Sequence, residues 1–178
     1  MSSQVLANST RRSVIKAPIE SIDLSEWLFT LSDEEYQACS VAHIAAGASR
    51  LPDGRRVSIN VEKPGDTLMV QHYVEEVSER QRCLVLSLTD AFSPLGRTKW
   101  EVCWEVSVSS IDASSCEFVN HFEVTATEAF LAVLQANSIP FDAVTKVAQQ
   151  KADEHNEEET PLFAADIQGK ALRGVWIT

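Results

Sequence analysis

KWEVCWEVSVSSIDASSCEFVNHFEV, residues 99–124, decides the fold. Over Lys99–Ser109 the apolar residues Trp100, Val102, Trp104, Val106 and Val108 alternate with Glu101, Cys103, Glu105 and Ser107. Successive side chains of a strand point to opposite faces, so this is a strand with one face turned to a core. A polar connection, Ser110–Ser114, leads to a second alternating run, Ser115–Val124. There Cys116, Phe118, Asn120, Phe122 and Val124 lie opposite Glu117, Val119, His121 and Glu123. Directly beyond, the period changes. Thr125-x-x-Glu128 has capping-box spacing, and Ala126, Ala129, Phe130, Val133 and Leu134 form a helical stripe. Pro140 lacks an amide hydrogen and kinks or divides that helix. Phe141, Val144, Val147, Ala148 and Lys151 continue the helical face after it.

Toward the N-terminus, residues 1–10 are polar and unpatterned and read as a flexible end. Arg11–Ala17 reads as a short strand that stops before Pro18. Asp23-x-x-Glu26 and Ser32-x-x-Glu35 open two short helices. His43–Leu51, Arg55–Glu62, Thr67–Val77 and Arg82–Ala91 read as strands, with turn chemistry at Leu51–Gly54, Lys63–Asp66 and Ser93–Gly96. Short turns make antiparallel pairing the simplest topology. The expected architecture is α+β (β-α-α-β6-α): a curved seven-stranded antiparallel sheet around a long C-terminal helix kinked near Pro140. It divides into a flexible 1–10, a single domain at 11–152 and a tail at 153–178, acidic and then semi-apolar. Leu162, Phe163, Leu172, Val175, Trp176 and Ile177 make that tail too apolar for a solvated end. It folds back on the sheet or pairs with a second copy, giving a homodimer.

The 178 residues suit one domain. Fifteen Lys and Arg against 26 Asp and Glu give a formal charge of -11, which disfavours nucleic acid and anionic membrane surfaces as partners. No apolar stretch is long enough to enter and span a bilayer, and the N-terminus has no apolar signal core. The expected location is cytoplasmic, with Cys39, Cys83, Cys103 and Cys116 reduced. Neither a CxxC nor a histidine pair at ligand spacing occurs, so no metal and no cofactor are expected. G-x-S-x-G, Walker A and G-x-G-x-x-G motifs do not occur either.

The inward rows supply the candidate ligand-binding residues: Trp100, Trp104, Phe118, Asn120, Phe122, Phe130 and Leu134. The tryptophans are either a cavity wall or core packing. Asn120 interrupts an apolar row, and a buried amide needs partners, either a ligand or neighbouring backbone. In residues 67–77 the inward face is open. It holds either Leu68, Val70, His72 and Val74, or Met69, Gln71 and Tyr73, because a one-residue shift exchanges the faces. His72, Tyr73 and Asn120 are therefore the catalytic candidates, with Gln71 beside them. His43 is placed near a cavity mouth and His155 in a solvated acidic run.

The element order from Arg11 to Lys151 resembles the helix-grip fold of the START and birch-pollen-allergen-like superfamily (SRPBCC), which includes polyketide cyclases. The resemblance implies a cavity between sheet and last helix that binds an apolar or aromatic small molecule: a lipid, sterol or polyketide. It also admits a polyketide cyclase or aromatase-like enzyme, and a protein-interaction or co-chaperone-like module.

Overall fold

The alternation of residues 99–124 becomes two neighbouring strands of a seven-stranded sheet. The computed structural model describes residues 4–177. The strands are β1 (Val5–Ile15), β2 (His43–Arg50), β3 (Arg56–Glu62), β4 (Leu68–Glu79), β5 (Arg82–Ser93), β6 (Gly96–Asp112) and β7 (Ser115–Ala126). The helices are α1 (Leu24–Thr30), α2 (Asp33–Gln37), α3 (Glu128–Ala136) and α4 (Phe141–Leu172). Strand order is β1-β7-β6-β5-β4-β3-β2. All pairings are antiparallel, as the short turns between β2 and β7 require. This is the helix-grip architecture, with α4 running along β1.

Register aligns the apolar rows. Val102 faces Val124 and Trp104 faces Phe122 across the β6–β7 ladder. The core forms where this face meets α1 and the second half of α4. Trp27 is fully buried and meets Trp104, Phe118 and Phe163 edge-on, with ring centroids 6.4, 6.4 and 5.1 Å away. Such arrangements set the positive ring edge against a negative ring face.

Four expectations are corrected. Residues 5–10 are the first half of β1, paired with β7 and with Leu6 and Ala7 buried. The polar Asn8–Thr10 hid them. Gln4 is tied to the sheet by the Ala126 amide, which donates to its carbonyl at 2.9 Å, and residues 1–3 of the expected flexible end lie outside the described residues. The cap of α3 is Thr127, whose hydroxyl accepts from the Phe130 amide at 3.2 Å. Thr125 stays in the ladder opposite Glu101, so it is not free to cap. Pro140 divides the helical stretch, one of the two outcomes expected of it, and does not kink a single long helix. α3 ends at Ala136, Ser138 takes φ 54°, and α4 starts at Phe141.

The fourth correction concerns the expected tail, 153–178, of which Thr178 lies outside the described residues. Residues 153–172 are the greater part of α4 and 173–177 the turn after it, with Phe163, Ile167, Ala171 and Trp176 in the core. Glu154, Glu157 and Glu158 are exposed while Asn156, Glu159 and Thr160 are buried. A run that is solvated on average thus carries a buried face. The apolar residues that motivated a homodimer are split between core and surface, with Leu172, Val175 and Ile177 exposed. No described helix is long and apolar enough to cross a membrane.

The capping signals of the first two helices are partly and fully realised. Asp23 accepts from the Glu26 amide at 3.0 Å, but the Glu26 side chain turns to Arg56 instead of back to Asp23. Ser32 and Glu35 make both bonds of the box, which fixes α2 and the chain leading to His43.

Candidate functional site: a cavity with a buried histidine–glutamate cluster

Between sheet and C-terminal helices lies a cavity of about 400 Å³, within the range of roughly 300–1,000 Å³ that small-molecule sites occupy. The sheet contributes Met69, Trp100, Val102, Trp104, Phe122 and Val124. Phe130 and Leu134 of α3 and Val144, Val147 and Ala148 of α4 form the opposite wall. Trp100 meets Phe130 edge-on at 5.7 Å. Farther along α4, the lining becomes polar: Tyr36, Glu62, Tyr73, His155 and Glu159.

Of the expected ligand-binding residues, Trp100, Trp104, Phe122, Phe130 and Leu134 line the cavity, and Phe118 and Asn120 do not. Phe118 is spent on Trp27. Asn120 is spent on a buried polar seam. Its carbonyl accepts from Trp104 Nε1 at 2.7 Å. Its amide nitrogen lies 3.0 Å from Asn156 Oδ1, 3.0 Å from Glu159 Oε1 and 3.2 Å from Thr160 Oγ1. Asn156 also donates to Ser9 Oγ. The seam joins α4 to β1, β6 and β7.

β4 turns Met69, Gln71 and Tyr73 inward, and His72 is exposed. His72 is therefore withdrawn as a catalytic candidate. The inward row of β3 is its polar one: Ser58, Asn60 and Glu62 are buried, and Asn60 and Glu62 line the cavity. In the ladder Gln71 stands opposite Asn60 and Met69 opposite Glu62, so both strands bring amides and a carboxylate to the same face. Gln71 Nε2 donates to Glu62 Oε1 at 3.0 Å. Gln71 Oε1 and Trp100 Nε1 are buried without hydrogen-bond partners.

The residues that sequence reasoning missed are Tyr36, His43, Glu62, His155 and Glu159. His43 is buried, not at a mouth. Its ring stacks on Tyr36 with centroids 3.7 Å apart, and lies 6.0 Å from the Phe163 ring. His43 Nδ1 lies 2.7 Å from the Tyr36 carbonyl oxygen. That oxygen only accepts, so Nδ1 carries hydrogen. His43 Nε2 is 3.3 Å from Glu159 Oε2 and 3.6 Å from Glu62 Oε2, but not aligned to donate to either. His155 Nε2 lies 3.2 Å from Glu62 Oε2 and 3.3 Å from Glu159 Oε2. Tyr36 donates its hydroxyl to Glu62 Oε2 at 3.2 Å.

Burial opposes charge on His155, but the Glu159 and Glu62 carboxylates prevail and push its pKa up to about 11. Burial likewise works against ionised Glu159, yet the His155 cation and its hydrogen bond hold the carboxyl at about 2. Burial, reinforced by the two glutamates, pushes the Tyr36 and Tyr73 phenols well above their ordinary value. His155 and Glu159 stand one helical turn apart on α4. That i,i+4 spacing is the one signal of the cluster visible in the sequence. His43 and Glu62 come from β2 and β3, and nothing local links them to α4.

No protein-family model matches this chain, and no curated protein matches it in sequence. Solved structures do match. The Zhui aromatase/cyclase from Streptomyces sp. R1128 superposes with a TM-score of 0.61 at 14% identity, over 96% of each chain. A START superfamily protein from Mycobacterium smegmatis gives 0.54 at 13% identity, over 91% of this chain and 97% of that one. A protein from Thermus thermophilus gives 0.54 at 14% identity, over 93% and 97%. At such identities the likeness defines the fold. This chain has the START-like helix-grip fold, as the element order implied.

Proposed function

We propose that this protein binds an apolar or ring-containing small molecule, of lipid, sterol or polyketide type, between its sheet and α3–α4. One observation carries the reading. A cavity of ligand size has a largely apolar, aromatic-rich lining, with Trp100, Phe122, Val124, Phe130 and Val144, that turns polar at one end through Glu62, Gln71 and Tyr73. Burial of apolar surface is worth about 25 cal/mol per Å². A guest with an apolar body and one or two polar groups matches both parts of that lining. The test is titration with an apolar naphthalene fluorophore, beside native mass spectrometry of gently purified protein. Ala148→Trp, which puts an indole where the α4 wall has a methyl, weakens the fluorophore by about tenfold or more (about 1.4 kcal/mol per decade) with the circular dichroism unchanged. A wild type that does not bind, or a variant that binds equally well, contradicts the reading.

Ring closure in the same cavity, the activity named for the Streptomyces neighbour, is the second reading. Its support is that Gln71, Tyr73, His155 and Glu159 face one space. It ranks second on electrostatics. An acid or base works best with its pKa near the working pH, whereas His155 is held protonated and Glu159 ionised far from neutrality.

A further inference from the structure

We propose that His43, His155 and Glu159 bind one divalent first-row transition-metal ion, of which zinc best fits the donors, with Glu62 as the neighbouring carboxylate. The inference stands on the geometry of the cluster, independently of any guest in the cavity. One ligand atom from each of His43, His155 and Glu159 lies within 4.8 Å of the others. The four imidazole-to-carboxylate separations, including those to Glu62, are 3.2, 3.3, 3.3 and 3.6 Å. Two donors each about 2.05 Å from a tetrahedral zinc stand about 3.3 Å apart. That spacing matches ligands around a shared centre, once the ion displaces the proton that the two carboxylates hold on His155.

Three further features fit an ion. The His43 side chain is wholly buried, and its Nε2 makes no hydrogen bond. Since Nδ1–H is committed to the Tyr36 carbonyl, Nε2 is the ring nitrogen left facing the carboxylates and the one placed to serve as a ligand atom. Metal-binding histidines are typically oriented by such a bond from the other ring nitrogen. Both carboxylates are held from behind: Glu159 Oε1 accepts from Asn120 and Glu62 Oε1 from Gln71, each at 3.0 Å. This leaves each Oε2 directed at the imidazoles. Lastly, Glu62, His155 and Glu159 line the cavity, which supplies an entry path and room for a water on an open coordination position. Two imidazoles and a carboxylate select a borderline ion such as Zn²⁺ or Co²⁺ over Ca²⁺ or Mg²⁺, which prefer all-oxygen sites.

The test uses full-length, tag-free protein stripped by chelator and titrated with Co²⁺ and then Zn²⁺. The expected result is one ion per chain, visible d–d absorption from Co²⁺ and its loss when Zn²⁺ displaces it. His155→Gln and Glu159→Gln keep size and hydrogen bonding. Each weakens binding by more than the roughly 100-fold that outer-shell changes reach. X-ray absorption at the zinc edge of the wild-type complex shows imidazole nitrogen, a readout that needs no variant to fold. No stoichiometric binding, equal affinity in both variants and wild type, or an all-oxygen shell overturns the proposal. Failure of the fluorophore to bind overturns only the cavity reading, so the two results are separable.

Discussion

Asn120 is the residue that ties the site to the fold. It is fully buried, and its side chain accepts from Trp104 and donates into the Asn156–Glu159–Thr160 face of α4. Replacing it with leucine keeps the volume but strands several polar groups in a low-dielectric interior. Asn120→Leu is expected to lower stability by about 3 kcal/mol, since each unpaired buried group costs about 1–3. Urea denaturation followed by tryptophan fluorescence checks this, and a loss under about 1 kcal/mol contradicts the seam. The sequence singled Asn120 out, because it breaks an apolar row. It did not show the partners, which lie on a helix whose charged composition hides them. His72 shows the complementary failure. A histidine in a strand carries no mark of which face it is on, and β4 puts it in solvent.

Among elements, α4 departs most from its sequence reading. Composition set a boundary at Asp153, whereas the helix runs unbroken from Phe141 to Leu172 with Pro161 inside it. What holds it is one apolar face, Phe163, Ile167 and Ala171, packed into the core that Trp27 and Trp104 share. Phe163→Ala is expected to cost about 3–5 kcal/mol, as other core Phe truncations do. Glu154→Ala, on the exposed side of the same helix, stays within about 0.5 kcal/mol. Equal effects in thermal or urea unfolding would mean that residues 153–172 are not part of the core. The strands were far more legible. β6 and β7 alternate over enough residues that their inward rows are fixed by side-chain chemistry alone. β3 and β4 are not, since β3 buries its polar row because that row faces a polar corner of the cavity instead of the packed core.

For the whole molecule, the element order and the turn chemistry contained the architecture, because short turns leave antiparallel pairing as the simplest route. The cavity was implied by that architecture, and its aromatic wall by the Trp100–Trp104 row. The histidine–glutamate cluster was not, since it joins β2, β3 and α4 only after the sheet curls and α4 settles on β1. The central claim is that a guest enters between the sheet and the divided C-terminal helices, with its apolar body on Trp100, Phe122, Val124 and Val144. The most direct measurement is isotope-filtered NMR of labelled protein with an unlabelled naphthalene fluorophore, reading intermolecular nuclear Overhauser effects to methyl and indole protons. The account predicts contacts to Trp100, Val102, Val124 and Val144. Contacts confined to surface residues such as Val41, Leu88 or Ile111, which are exposed, or no contacts with a guest shown to bind, would contradict it.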